Sequence, residues 1–258
     1  ASPALARQMT RELHNTRVSF FAQLKDLKGC RRALEEMRAE GHVPDGKSYA
    51  WALHGEAGTG TRNAEGVGEL LDRARDEGWE LTEEMLVAHT TALKRRGDWS
   101  GGMQVLERVA ADRKKQLEQQ GGEGGSGGIL NVTSHIINNV LSALAQDKQW
   151  SRILALQASM HKAYGATPDN VTHLYHLMAL AHLGKGEEAL SLFQQIRTGA
   201  FGPDVFAQDT MYTALLSILG IARDGCVVAI DKLLLMREED GLPVTQRLLN
   251  CLISTYGK

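Results

Sequence analysis

The sequence offers little sulfur chemistry: its three cysteines, Cys30, Cys226 and Cys251, are odd in number and far apart, and no CxxC occurs. That excludes a disulfide framework and a zinc ribbon, and it fits a reducing compartment. No apolar run approaches the roughly 18 residues that span a bilayer. The chain opens on ASPALARQMT, without an initiator Met or a secretory apolar region, and stops at STYGK, so a processed piece of a longer protein is expected, its targeting segment lying outside. Net charge is missing too. Twenty-nine Lys and Arg almost cancel 31 Asp and Glu, which removes any global field toward nucleic acid or an anionic membrane and leaves only a local charged groove as a route to a polyanion. No Ser/His/Asp order, carboxylate cluster or metal motif sits in a setting that suggests a pocket, so no enzyme, catalytic residue, cofactor or metal is expected in this stretch. Period-two alternation is absent, which argues against strands.

What is present is helical and repetitive. With 43% hydrophobic residues the chain can bury a core. RRALEEMRAEGHVPD, residues 31 to 45, and GKGEEALSLFQQIRTGAFGPD, residues 184 to 204, both carry an apolar stripe at helical spacing and both stop at Pro-Asp. In the second the stripe is Ala189, Leu192, Phe193 and Ile196. Pro44 and Pro203 lack an amide hydrogen and forbid continuation. Similar stripes run through Val67, Leu70, Leu71 and Ala74; through Val105, Leu106 and Val109; through Ile153, Leu156 and Met160 before Pro168; and through Ala229, Leu233 and Met236 before Pro243. Each follows another helical segment, the first being LHNTRVSFFAQL and the last LLNCLISTYGK.

Aligning those preceding segments at the residue after the aromatic or aliphatic slot selects Asn15, Ala50, Val87, Asn138, Leu174, Thr213 and Asn250, spaced by 35, 37, 51, 36, 39 and 37. A period near 35 with small insertions predicts an all-α fold, an α-solenoid of about six and a half helix-turn-helix repeats, each burying its stripes against its neighbours. The long interval holds RKKQLEQQGGEGGSGG. Its front is expected to lengthen a helix, and residues 121 to 128 to form a flexible glycine-rich loop between repeats one to three, residues 1 to 120, and the rest, residues 129 to 258.

The units HNTRVSFFAQLKDLKGCRRALEEMRAEGHVPD and NVTHLYHLMALAHLGKGEEALSLFQQIRTGAFGPD resemble pentatricopeptide repeats, with a period of about 35 residues. That family has a Tyr-Asn-Thr-Leu-Ile type first helix, a Glu-Ala-Leu-x-Leu-Phe-x-x-Met type second helix and a Gly-x-x-Pro-Asp junction. The likeness spans about residues 10 to 258, strongest at 11–45 and 134–204 and weakest at 46–112. The Trp/Leu-Gly/Tyr signature of tetratricopeptide repeats is not found.

The resemblance implies single-stranded RNA binding in a mitochondrion or chloroplast, with one base read per repeat by the slot residue and the last residue of the repeat. Carried over, Asn15 pairs with Asp45 and Asn138 with Asp169, combinations that in the family favour uracil. His135 and Val171 would hold the base at the fourth repeat; Glu12 and Lys47 form a poorer clamp at the first. Thr213 and Asn250 occupy further slots, although the repeat of Thr213 closes on Pro243-Val244. Ala50, Val87 and Leu174 cannot hydrogen-bond to a base.

Plainer roles compete with these. Asp45, Asp169 and Asp204 can simply cap or turn the chain, and KRR at 94–96 and RKK at 113–115 can touch phosphate or be solvated helix ends. His173, His176 and His182 share helix faces without a third ligand, which makes them ordinary histidines. LGKGEE and GEAGTGTRN read as hairpin turns, NVT at 131–133 as a chance glycosylation match, and Trp51, Trp79, Trp99 and Trp150 as packing between hairpins. Two functions follow from the sequence. One is an RNA-binding protein acting in RNA processing, stability or translation. The other is a protein-interaction scaffold, a subunit of an organellar ribonucleoprotein such as a mitochondrial ribosome, contacting ribosomal RNA and other proteins.

Overall fold

The computed structural model describes residues 3–58, 64–77, 82–119, 132–219 and 226–256, and among them every regular element is helical. The helices alternate as the repeat requires. First helices are α1 (Pro3–Gln23), α3 (Gly46–Gly58), α5 (Glu83–Arg96), α7 (Ser134–Gln146), α9 (Asn170–His182), α11 (Asp209–Leu219) and α13 (Gln246–Tyr256). Second helices are α2 (Leu27–Ala39), α4 (Ala64–Asp76), α6 (Trp99–Gln119), α8 (Trp150–Ser159), α10 (Gly186–Arg197) and α12 (Cys226–Glu239). Among the described residues, six helix pairs and one further first helix make an all-α solenoid of the expected repeat number. The basic, Gln-rich segment does lengthen α6, which reaches Gln119; residues 121–128 lie outside the described residues.

Contacts divide the chain into two compact units, Ala1–Ala143 and Leu144–Lys258, the division falling inside α7. In the first unit α1 packs on α3 and α3 on α5, while each also packs on the second helix of its hairpin. Val18, Leu34, Tyr49, Leu53, Leu70 and Met85 form its core. In the second unit α9 packs on α11 and α11 on α13, around Leu177, Phe193, Tyr212, Leu216 and Leu233. Three of the four stripe residues Ala189, Leu192, Phe193 and Ile196 are fully buried and Leu192 is partly so, which is the burial that a 3.6-residue period prescribes.

Local chemistry sets the helix ends. Thr82 caps α5 by accepting the Met85 amide, Glu83 and Glu84 occupy its first turn, and Lys94, Arg95 and Arg96 its last, complementing the helix dipole at both ends. Among the described residues, the turn inside a hairpin is closed the same way four times. The residue with positive φ, Lys25, Gly97, Lys148 or Gly184, donates its amide three residues back, and the next residue donates five back. This is the Schellman arrangement, usually built on Gly; two of the four positions carry Lys instead. Gly29 is required for packing, since a Cβ there would lie 2.4 Å from the Phe21 ring. The stretch after α8 departs from the expected helix: Met160–Tyr164 is π-helical, ending at Gly165 with φ 66°.

Two polar clamps tie neighbouring hairpins and recur at matching places. In the first unit the Arg38 guanidinium donates to the Tyr49 hydroxyl at 2.7 Å and to Glu77 at 2.8 Å. In the second, Arg197 holds Asp240 through Nε at 3.0 Å and Nη2 at 2.6 Å, and the Tyr212 hydroxyl donates to the same carboxylate. Tyr49 and Tyr212 are each the fourth residue of a first helix, and each acid follows a second helix. Burial, then the acid beside it, pushes the Tyr49 phenol up to about 12.

Candidate nucleic-acid interface

The seven slot residues share one register. Ala50, Val87, Asn138, Leu174, Thr213 and Asn250 are each the fifth residue of α3, α5, α7, α9, α11 and α13, and Asn15 holds the same place against its hairpin although α1 starts earlier. Five of the seven are half-buried, so their side chains are positioned by packing yet keep an open edge. Asn250 is exposed and Thr213 is buried.

Asn15 shows the arrangement in most detail. Its amide nitrogen donates to both carboxylate oxygens of Asp45, at 3.2 and 3.3 Å, so the two residues paired from the sequence do meet. The Ser48 hydroxyl has two oxygen acceptors within reach, Asn15 Oδ1, the nearer, and Asp45 Oδ1 at 3.0 Å. Asp45 lies just before α3 and accepts the Ser48 amide at 2.9 Å, while its own amide donates to the Ser48 hydroxyl oxygen at 3.0 Å. That reciprocal pattern is a capping box. An Asn amide has two N–H donors and two acceptor lone pairs; with one N–H shared between the two Asp45 oxygens and one lone pair facing Ser48, one donor and one acceptor remain for a base edge. Burial pushes the Asp45 carboxyl up, but hydrogen bonds from the Ser48 backbone and hydroxyl and from Asn15, with the charge of Arg11 at 3.7 Å, outweigh it and hold the group below its ordinary value. The carboxylate therefore stays an acceptor at neutral pH. Glu12 and Lys47, the clamp residues of this repeat, are exposed.

Of the second pair, Asn138 is half-buried on α7 in the first unit, and His135 on the same helix is exposed. Asp169 and Val171 belong to the second unit. Asp169 caps α9 with a full capping box, accepting the Thr172 amide at 2.8 Å and its hydroxyl at 2.9 Å; Val171 beside it is 45% exposed. The Thr213 hydroxyl turns back to the carbonyls of Asp209 and Thr210, a bond that Thr commonly makes inside a helix. Val244, where that repeat closes, is 71% exposed. Asp204 caps no helix, because α11 starts five residues later at Asp209; its carbonyl accepts the Asn170 side chain at 3.3 Å.

The remaining candidates fall into place individually. Lys94 is half-buried and Arg95 and Arg96 are exposed at the end of α5; Lys114 and Lys115 are exposed on α6. His173 is buried against Phe201, ring centroids 4.5 Å apart, and burial holds it below the ordinary histidine range despite the nearby Asp169 charge. His182 stacks on Trp150 at 4.1 Å. His176 lines an open groove of about 430 Å³ with Glu187, Glu188 and Gln195. Among the described residues no three His, Cys, Asp or Glu side chains gather as a metal site, and no helix is long and apolar enough to cross a membrane. Gly184 of LGKGEE sits in a hairpin turn as expected, whereas part of GEAGTGTRN, Asn131 and Trp79 lie outside the described residues. Trp51 is 41% exposed.

Ser48 and Thr172 were not among the expected site residues. The signal for them was present, since Asp-x-x-Ser/Thr at a helix start is a capping signature.

Sequence comparison returns no matching protein family and no matching curated protein. Structural comparison does find similar folds. The crystal structure of the pentatricopeptide repeat protein PPR10 from maize aligns over 95% of this chain with a TM-score of 0.53 and 16% identity, and a cysteine-substituted form of PPR10 in complex with an 18-nt PSAJ RNA element aligns over 95% with a TM-score of 0.51. This chain spans 36% of the length of the first and 37% of the second. By its helices, hairpin register and structural neighbours, the chain has the α-solenoid fold of the pentatricopeptide repeat proteins.

Proposed function

We propose that this chain binds single-stranded RNA, reading uracil at its Asn slots, and acts in the processing, stability or translation of an organellar transcript, in a mitochondrion or chloroplast. The observation that carries the reading is the Asn15–Asp45–Ser48 group: a half-buried amide held at both ends, with a donor and an acceptor still open, at a register position that recurs through the chain. The neighbour bound to an RNA element supports the same reading. A second reading is a protein-interaction scaffold within an organellar ribonucleoprotein, and the apolar slots Ala50, Val87 and Leu174 favour it, since none can hydrogen-bond to a base.

Binding curves for short oligouridylate and oligoadenylate at several salt concentrations separate the two. Base reading gives tighter binding to oligouridylate at every salt concentration. A scaffold gives weak, sequence-blind binding that collapses as salt rises, because only phosphate contacts contribute.

A further inference from the structure

Within the chain the identity of the slot residue tracks two positions at the start of the following first helix. After Asn15 and Asn138 come Asp45 and Asp169 just before the helix, and Ser48 and Thr172 as its third residue. After Ala50, Val87, Leu174 and Thr213 the residue before the helix is Thr82, Thr133, Gln208 or Thr245, and the third residue is Met85, Ile136, Met211 or Leu248. Helix capping alone does not demand this. Thr82 caps α5, and Thr245 accepts the Leu248 amide, with an apolar third residue in each case. The hydroxyl appears only where the slot is Asn.

The geometry at the first junction points to the reason. Ser48 is fully buried, yet its hydroxyl donates to the Asn15 Oδ1 while Asp45 takes the Asn15 amide nitrogen. Turning the amide over would set its oxygen against the Asp45 carboxylate and its nitrogen in place of the Ser48 hydroxyl's nearest acceptor, leaving that hydroxyl only Asp45 Oδ1, at 3.0 Å, and the Met37 sulfur, at 3.9 Å. From this we infer that Ser48 is a positioning residue for base choice. Its hydroxyl, supplied by the next hairpin, fixes which edge of the Asn15 amide faces the RNA; in sequence, Thr172 is likewise the third residue of the first helix that follows the Asn138 slot. This rests on the reading that Asn15 contacts a base, and it adds to the slot and closing residues a third determinant, one that never touches the RNA.

The test measures affinity for short oligouridylate and oligoadenylate by fluorescence anisotropy, with thermal unfolding of each variant recorded alongside. Ser48→Thr keeps a hydroxyl and Ser48→Val has the same shape without one, so their difference isolates the hydrogen bond even if Ser48→Ala folds poorly. Ser48→Thr is expected to keep the uridylate preference of the unaltered protein. Ser48→Val is expected to lose roughly fivefold of it, the scale of one neutral hydrogen bond, through weaker oligouridylate binding with oligoadenylate unchanged. Asn15→Ala serves as the reference. If Asn15→Ala lowers the preference while Ser48→Val and Ser48→Thr match each other, positioning is overturned and base reading stands. Equal weakening on both RNAs in Ser48→Val makes the residue a cap only and also overturns it. Should Asn15→Ala leave the preference intact, base reading at this slot fails and the inference falls with it.

Discussion

Replacing Tyr212 by Phe tests whether the Arg–Tyr–acid clamps hold neighbouring hairpins together. The ring sits in the second core, edge-on to Phe193 with centroids 4.6 Å apart, and Phe keeps that packing. What is lost is one hydroxyl, which donates to Asp240 and lies 3.2 Å from the Met236 carbonyl. A hydrogen bond to a charged group contributes about 1.5–3 kcal/mol. Asp240 retains Arg197 at 2.6 Å and its side chain is 28% accessible, so the lower end applies, about 1.5 kcal/mol. For a cooperative unit of this size that corresponds to a fall in Tm of roughly 3–6 °C, read by circular dichroism at 222 nm. Arg197→Ala combined with Tyr212→Phe should cost less than the sum of the two single changes, because both act on one carboxylate. A Tm within about 1 °C of the parent, or strictly additive effects, would show that the clamp is a surface ion pair without structural weight.

Two further outcomes follow from the same structure. Lys25→Gly should raise stability by about 0.5–1 kcal/mol, since Lys25 stands at φ 57° where Gly97 and Gly184 serve the equivalent turns and an L side chain is strained; chemical denaturation checks it, and a destabilised variant would refute the shared turn geometry. On pH, Asp45 and Asp240 have folded pKa values below their ordinary ones, so their stabilisation is present above about pH 4 and is lost as pH falls through the depressed folded values. Tyr49 is raised to about 12, so its contribution is complete below about pH 10 and disappears as pH climbs toward 12. Denaturant midpoints across pH should form a plateau bounded by these two losses, and Asp45→Asn should blunt the acid limb.

The repeat was legible because its determinants are local. Apolar stripes at helical spacing and the Pro-Asp stops at Pro44 and Pro168 mark hairpins whatever lies around them, and the slot register proved to be one helical position. The clamps were not legible, because Arg38, Tyr49 and Glu77, like Arg197, Tyr212 and Asp240, are far apart in sequence and read singly as solvated charges or core aromatics. Thr213 looked like a base-facing hydroxyl, and only the fold shows that hydroxyl turned to its own helix. Ser48 was visible as part of a capping box, but its bond to Asn15 depends on how two hairpins meet. The π-helical segment Met160–Tyr164 gave no sequence signal that distinguishes it from the end of an α-helix.

The most direct test of the central claim is the ratio of affinities for oligouridylate and oligoadenylate in Asn15→Ala/Asn138→Ala against the unaltered chain, at one fixed salt concentration. Each base-edge contact is worth about 1–3 kcal/mol of discrimination, so the account predicts a preference that collapses by at least tenfold in the double variant, with binding to oligoadenylate and helix content unchanged. A preference that survives both substitutions, or an unaltered chain that never distinguishes the two RNAs, would contradict base reading and leave the scaffold.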